Sequence, residues 1–151
     1  MNFIYYLLSL AAGAVTTLQV GVNGNLRSAL SSPVLASLIS FTVGAVGLLA
    51  VYGISVLSGI QGVPALAALK QTQWWLWTGG LLGAFIVFST IIIPPKIGYA
   101  NMFALVIAGQ LVLAILFDHF GIFGNQVHSI NPYRAAGVVL MIISVYVIQT
   151  N

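Results

Sequence analysis

Residues 34–57 read VLASLISFTVGAVGLLAVYGISVL, 24 positions without one charged side chain. A hydrocarbon core of about 30 Å is crossed by roughly 20 apolar helical residues, so this stretch has the length and composition of a transmembrane helix. It has company. Residues 3–22, 74–93 and 102–117 meet or approach the same requirement, and residues 133–149 form a shorter fifth stretch. At about 1.5 Å per residue the fifth reaches only ~25 Å, so it spans if Arg134 snorkels or the bilayer thins. With no water-soluble portion on which it would pack, it is counted as spanning.

Composition excludes the competing classes. The chain is 60% hydrophobic and 3% charged, whereas about a quarter of a soluble domain's residues are charged. The net charge of +3 comes from Arg27, Lys70, Lys96 and Arg134 against Asp118, the one acidic residue. The cations fall singly in separate connections, which argues against nucleic acid, since that needs clustered cations along a phosphate track. Without cysteine there are no disulfides, thiolate metal sites or cysteine nucleophiles. The first stretch lacks a preceding basic run and leads into further spans, so it is expected to be a retained helix and not a signal peptide.

The breaks in hydrophobicity fall at residues 23–33, 58–72, 94–101 and 118–132, none long enough to fold alone. Residues 1–151 are therefore expected to form one transmembrane domain. Backbone groups in lipid must be paired internally, and no segment alternates like a barrel strand, so the fold class is all-α with five transmembrane helices. Ser32-Pro33 and Asn131-Pro132 supply helix-start chemistry. Pro94-Pro95 is expected to end the third helix. Trp74, Trp75 and Trp77 crowd the start of that helix, where indole rings prefer the headgroup zone. Gly79 and Gly83, Gly44, and Gly109 are expected to pack helices closely, because association in lipid depends on near approach at small residues.

Charge also bears on topology. Five spans put Lys70 and Arg134 on one side of the membrane and Arg27 and Lys96 on the other. An excess of Lys and Arg normally fixes the cytoplasmic side, and two against two is no excess. The expectation is dual topology, with an antiparallel homodimer whose halves are related as the inverted repeats of many secondary transporters are. A fixed orientation, set by features other than this count, is the competing reading.

Thr16, Gln19 and Asn23 recur at spacings of three and four, along one face of the first helix. Such a stripe either hydrogen-bonds to a neighbouring helix or lines a neutral pocket, with Gln110 beside Gly109 as a further member. Ser40, Thr42, Ser89 and Thr90 are weaker candidates, since hydroxyls satisfy themselves on the preceding turn. Asp118 and His119, with Arg134 as a partner on the same side, form either a structural ion pair or a proton or cation site. His128 is expected to be solvated. One aspartate and two histidines offer no nucleophile with its base and no metal-ligand set, so enzymatic activity is not expected. No Gly-rich phosphate loop occurs, and no cofactor or metal is expected.

The run Trp74-Trp75-Leu76-Trp77-Thr78-Gly79-Gly80-Leu81-Leu82-Gly83-Ala84, the triplet Gly109-Gln110-Leu111 and the run Asp118-His119-Phe120-Gly121 resemble the bacterial YdcZ-like family of inner-membrane exporters. Gln19 with Asn23, and Gly137 after Arg134, fit as well, so the likeness covers nearly the whole chain. That family is similar to a half-size branch of the drug/metabolite transporter superfamily, whose full-length members hold two inverted five-helix repeats. The resemblance implies a dimer in the bacterial inner membrane, with the first four helices around a cavity and the fifth toward the dimer contact or the periphery. Four-helix multidrug exporters of the superfamily use a glutamate on the first helix, and this chain has no acid there. A neutral or zwitterionic metabolite, or an anion drawn by the basic loops, therefore fits at least as well as a drug cation.

The expected function is secondary transport, specifically export of small metabolites by alternating access in a dimer. Its partners would be the lipid bilayer, a small-molecule substrate, and a second copy or an oppositely oriented paralogue. The alternative is a membrane scaffold or subunit that holds a larger complex through its small-residue faces.

Overall fold

The computed structural model describes residues 3–124 and 126–150, and every regular element among them is helical. Five helices are long and apolar enough to cross a membrane: Phe3–Leu30, Pro33–Leu57, Trp74–Ile97, Tyr99–Phe120 and Pro132–Thr150. The order of elements is α1 (Phe3–Leu30), α2 (Pro33–Leu57), α3 (Leu66–Gln71), a 3-10 turn (Trp74–Thr78), α4 (Gly79–Ile92), α5 (Pro94–Ile97), α6 (Tyr99–Phe120), a second 3-10 turn (Ile122–Gly124) and α7 (Pro132–Thr150).

Several boundaries differ from those expected. α1 does not stop at residue 22 but runs 28 residues to Leu30, about 42 Å at 1.5 Å per residue. Polar Asn23, Gly24 and Asn25 lower hydropathy, yet each costs a helix less than about 1 kcal/mol, and packing outweighs that. The first connection shrinks to Ser31 and Ser32. There Ser31 takes φ +52° and the Ser32 hydroxyl accepts from the Leu35 N–H at 3.2 Å. Asn131 likewise caps α7, its side-chain oxygen accepting from the Arg134 N–H at 2.8 Å.

Pro94-Pro95 ends α4, which stops at Ile92, and a separate four-residue helix, α5, begins at Pro94. Ile93, the residue between them, has φ −80° and ψ −46° and caps the start of α5. A proline ring removes a ladder bond and clashes with the carbonyl four residues before it. Gly98 stops α5. At φ +82°, ψ 160° it occupies a region essentially closed to other residues, while its N–H still bonds to the Pro94 carbonyl at 2.8 Å. The fourth span is also longer than residues 102–117: α6 reaches Phe120 and is terminated by Gly121 in the left-handed conformation. Asp118 therefore sits inside the last turn, not at its close. α7 has 19 residues, which gives about 28 Å, so it needs less accommodation than its sequence length suggested.

The chain comprises two units, residues 1–92 and residues 93–151. In the first, α1 packs on α2 and α4, and α2 packs on α4. Its buried residues all come from one end of this trio, where α1 and α4 finish and α2 begins: Val20 and Asn23, Ala36 and Ser37, Thr90 and Ile91. In the second, α6 packs on both α5 and α7. Only 6–11% of the most apolar window of each span is buried. The remaining Leu, Ile, Val and Phe side chains form an exterior suited to acyl chains, against which their exposure costs nothing.

Candidate functional site

Asn23 anchors the buried end of the first unit. It is 5% exposed, and its Nδ2 donates to the Ser40 hydroxyl across the α1–α2 contact at 3.1 Å. Ser37 and Thr90, also buried, satisfy themselves locally: Ser37 donates to the Pro33 carbonyl at 2.8 Å and Thr90 to the Val87 carbonyl at 2.9 Å. Polar groups shut inside this plug are thus paired, as a water-poor interior requires. The plug holds the three helices together at that end.

About one turn along each helix from the plug, a cleft of about 250 Å³ opens between α1, α2 and α4. Gln19 contributes its only α1 side chain, Ser40, Gly44 and Leu48 come from successive turns of α2, and Val87 comes from α4. The spacing of four places Ser40, Gly44 and Leu48 on a single face. A Cβ built on Gly44 would meet nothing within 4 Å, so the missing side chain enlarges the cleft. Phe41 forms part of its wall and also borders a larger, apolar groove of about 480 Å³ between α2 and α4. Its ring reaches α4 because Gly83 has no side chain: a Cβ there would lie 3.1 Å from the ring's Cζ. No charged residue lines either space.

The sequence-identified residues occupy distinct places. Gln19 lies in the cleft, and its amide has no hydrogen-bond partner among the described residues. Asn23 belongs to the plug. Thr16 lies outside the lining, its hydroxyl bonded to the Ala12 carbonyl at 2.8 Å. Gln110 is exposed on α6, in the second unit, and likewise has no partner among the described residues. Gly79 and Gly109 have open space at the Cβ position. Ser40, a weak candidate on sequence grounds, lines the cleft, as do Phe41, Leu48 and Val87, which no sequence motif marks. For Ser40 and Leu48 the signal is the spacing of four through Gly44, legible only once α1 and α4 show which face of α2 is enclosed; Phe41 and Val87 carry no such signal.

A second polar cluster joins α6 to α7. The Arg134 Nη1 meets the Asp118 Oδ2 at 3.1 Å, with the two side chains 33% and 37% exposed. The same nitrogen donates to the His128 carbonyl at 3.2 Å. The His128 N–H donates to the Asp118 carbonyl at 2.8 Å, and the Ile130 N–H donates to His119 Nδ1 at 3.2 Å. These bonds strap the connection onto the end of α6. An ion pair this exposed contributes about 0.2–1 kcal/mol. Among the described residues no three His, Cys, Asp or Glu gather to hold a metal ion.

A family described as "Putative inner membrane exporter, YdcZ" matches residues 4–147. The inner membrane protein YdcZ of Escherichia coli (strain K12) is 27% identical over 145 residues, covering 92% of this chain and 90% of the relative. No solved structure gives a significant match.

Proposed function

The chain belongs to the YdcZ family of inner membrane exporters, and from that premise we propose that it exports small, uncharged or zwitterionic metabolites by alternating access in a dimer. It is a multi-pass inner membrane protein, and its family is one of exporters, not an enzyme class. The observation that carries the proposal is the Gln19 amide, without a hydrogen-bond partner among the described residues, in a neutral cleft one turn from the plug. A primary amide on a membrane helix has to meet water, a solute or another chain, because lipid offers it nothing. Amide and hydroxyl together supply donors and acceptors for a polar solute, while Phe41 and Leu48 cover its apolar part.

In this reading the plug of Asn23, Ser37 and Thr90 is the closed side, and access lies toward the opposite end of the trio. A second copy inserted the other way would present the same cleft with its closed side reversed, which is the relation alternating access requires. The balanced cations, two on each side, support such an antiparallel homodimer. Gln110, exposed on α6, is in this reading a further polar group that a solute or the second copy meets.

The test has two parts. The chain lacks cysteine, so a Gln126→Cys variant is labelled with an impermeant maleimide before and after permeabilisation. Labelling of about half the protein at first is expected for dual topology, and labelling of nearly all or nearly none overturns the antiparallel homodimer. A metabolite library is then screened for thermal stabilisation of the purified protein and its Gln19→Ala variant. A solute that protects the wild type and not the variant is expected. Equal protection of both removes Gln19 from the site, and stoichiometric recovery of another protein with no protecting solute favours a scaffold.

A further inference from the structure

Two grooves flank the contact between α6 and α7, and export makes no use of them. One, of about 310 Å³, runs past Leu111 and Ala114. The other, of about 270 Å³, runs past Val112 and Leu116. Ile115, Val138 and Arg134 border both, so one guanidinium stands at the head of two apolar troughs. Arg134 lies in the first turn of α7 and Asp118 in the last turn of α6. That places both charges at the ends of spans, where headgroups begin.

The charges at this head are only partly used. Arg134 makes its ion pair and its bond to the His128 carbonyl through the same nitrogen, Nη1. Its Nε and Nη2 have no partner among the described residues, and neither does the Asp118 Oδ1. The Nε–Nη2 edge is the fork that holds a phosphate through two parallel bonds. Oδ1 is an acceptor for an ammonium group. Opposite charges side by side select a zwitterion over an anion, because Asp118 repels a second negative group, and an N–H donor over a quaternary ammonium, which offers Oδ1 no hydrogen. Two troughs below a single head match two acyl chains below a single phosphate.

We propose that the α6–α7 seam is a binding site for a two-chain phospholipid with a primary-ammonium zwitterionic headgroup, its phosphate on Arg134, its ammonium on Asp118 and one chain in each groove. The probes are dioleoyl phosphatidylethanolamine, phosphatidylcholine and phosphatidylglycerol, each titrated into the delipidated wild-type protein and followed by native mass spectrometry. One phosphatidylethanolamine per chain is expected, held at least about tenfold more tightly than either of the others, the scale of a single charge-assisted hydrogen bond. Arg134→Lys keeps the charge, loses the fork and is expected to lose most of that binding. Asp118→Asn is expected to erase the preference for phosphatidylethanolamine over phosphatidylcholine. Equal binding of the three lipids overturns the proposal, as does a preference for phosphatidylglycerol or undiminished binding by Arg134→Lys. The wild-type comparison decides the matter by itself if either variant fails to fold.

Discussion

Breaking the Asn23–Ser40 bond gives an unequal pair of single mutants, and the inequality is calculable. The Asn23 Nδ2 donates to the Ser40 Oγ at 3.1 Å from a residue only 5% exposed. Hydrogen bonds between membrane helices contribute ~0.6 kcal/mol on average and up to ~1.7. Ser40→Ala removes the acceptor and leaves a buried amide with nothing to donate to, which costs about 1–2 kcal/mol. Asn23→Ala removes the donor, but the Ser40 hydroxyl can turn to the carbonyl of the preceding turn, so the loss is smaller, about 1 kcal/mol. With donor and acceptor both gone, the double mutant has no orphaned group. It should be little worse than Asn23→Ala alone, so the coupling should approach the cost of Ser40→Ala, about 1–2 kcal/mol. Unfolding free energies in bicelles, followed through Trp74, Trp75 and Trp77, measure all four corners of the cycle. Effects that add to within about 0.3 kcal/mol would refute the bond, and with it the account of the plug.

Gly44→Ala should leave stability unchanged or slightly raised, since its Cβ meets nothing, while Gly44→Leu should fill the cleft and abolish solute protection in the thermal-shift assay without unfolding the protein. Gly98→Ala forces a side chain into φ +82°, ψ 160° and should cost about 1–3 kcal/mol in the same unfolding assay. Asp118→Asn should cost no more than about 1 kcal/mol, because the pair it breaks is a third exposed and the main-chain bond from His128 survives. A larger loss would show that the strap over α6 depends on the ion pair.

The sequence by itself determined the class of this protein. Long uncharged stretches such as residues 34–57 are decided locally, because every residue of such a segment favours lipid independently of what it touches. The capping serine and asparagine at residues 32 and 131 were equally legible, since a cap needs only neighbours three residues away. Where hydropathy and helicity part company, sequence misplaced the boundary. α1 continues through Asn23 because that side chain has Ser40 to bond with, whereas Pro94-Pro95, whose effect is local, ends α4 at Ile92 as expected. The polar face of α1 was visible as a stripe, but its division into a cleft residue, Gln19, and a plug residue, Asn23, was not. Nor was it visible that Gly83 admits a phenyl ring while Gly44 opens onto a cavity, two glycines of the same local pattern. Periodicity fixes which residues of a helix share a face. What that face meets depends on helices far away in the chain, so only the tertiary structure decided it.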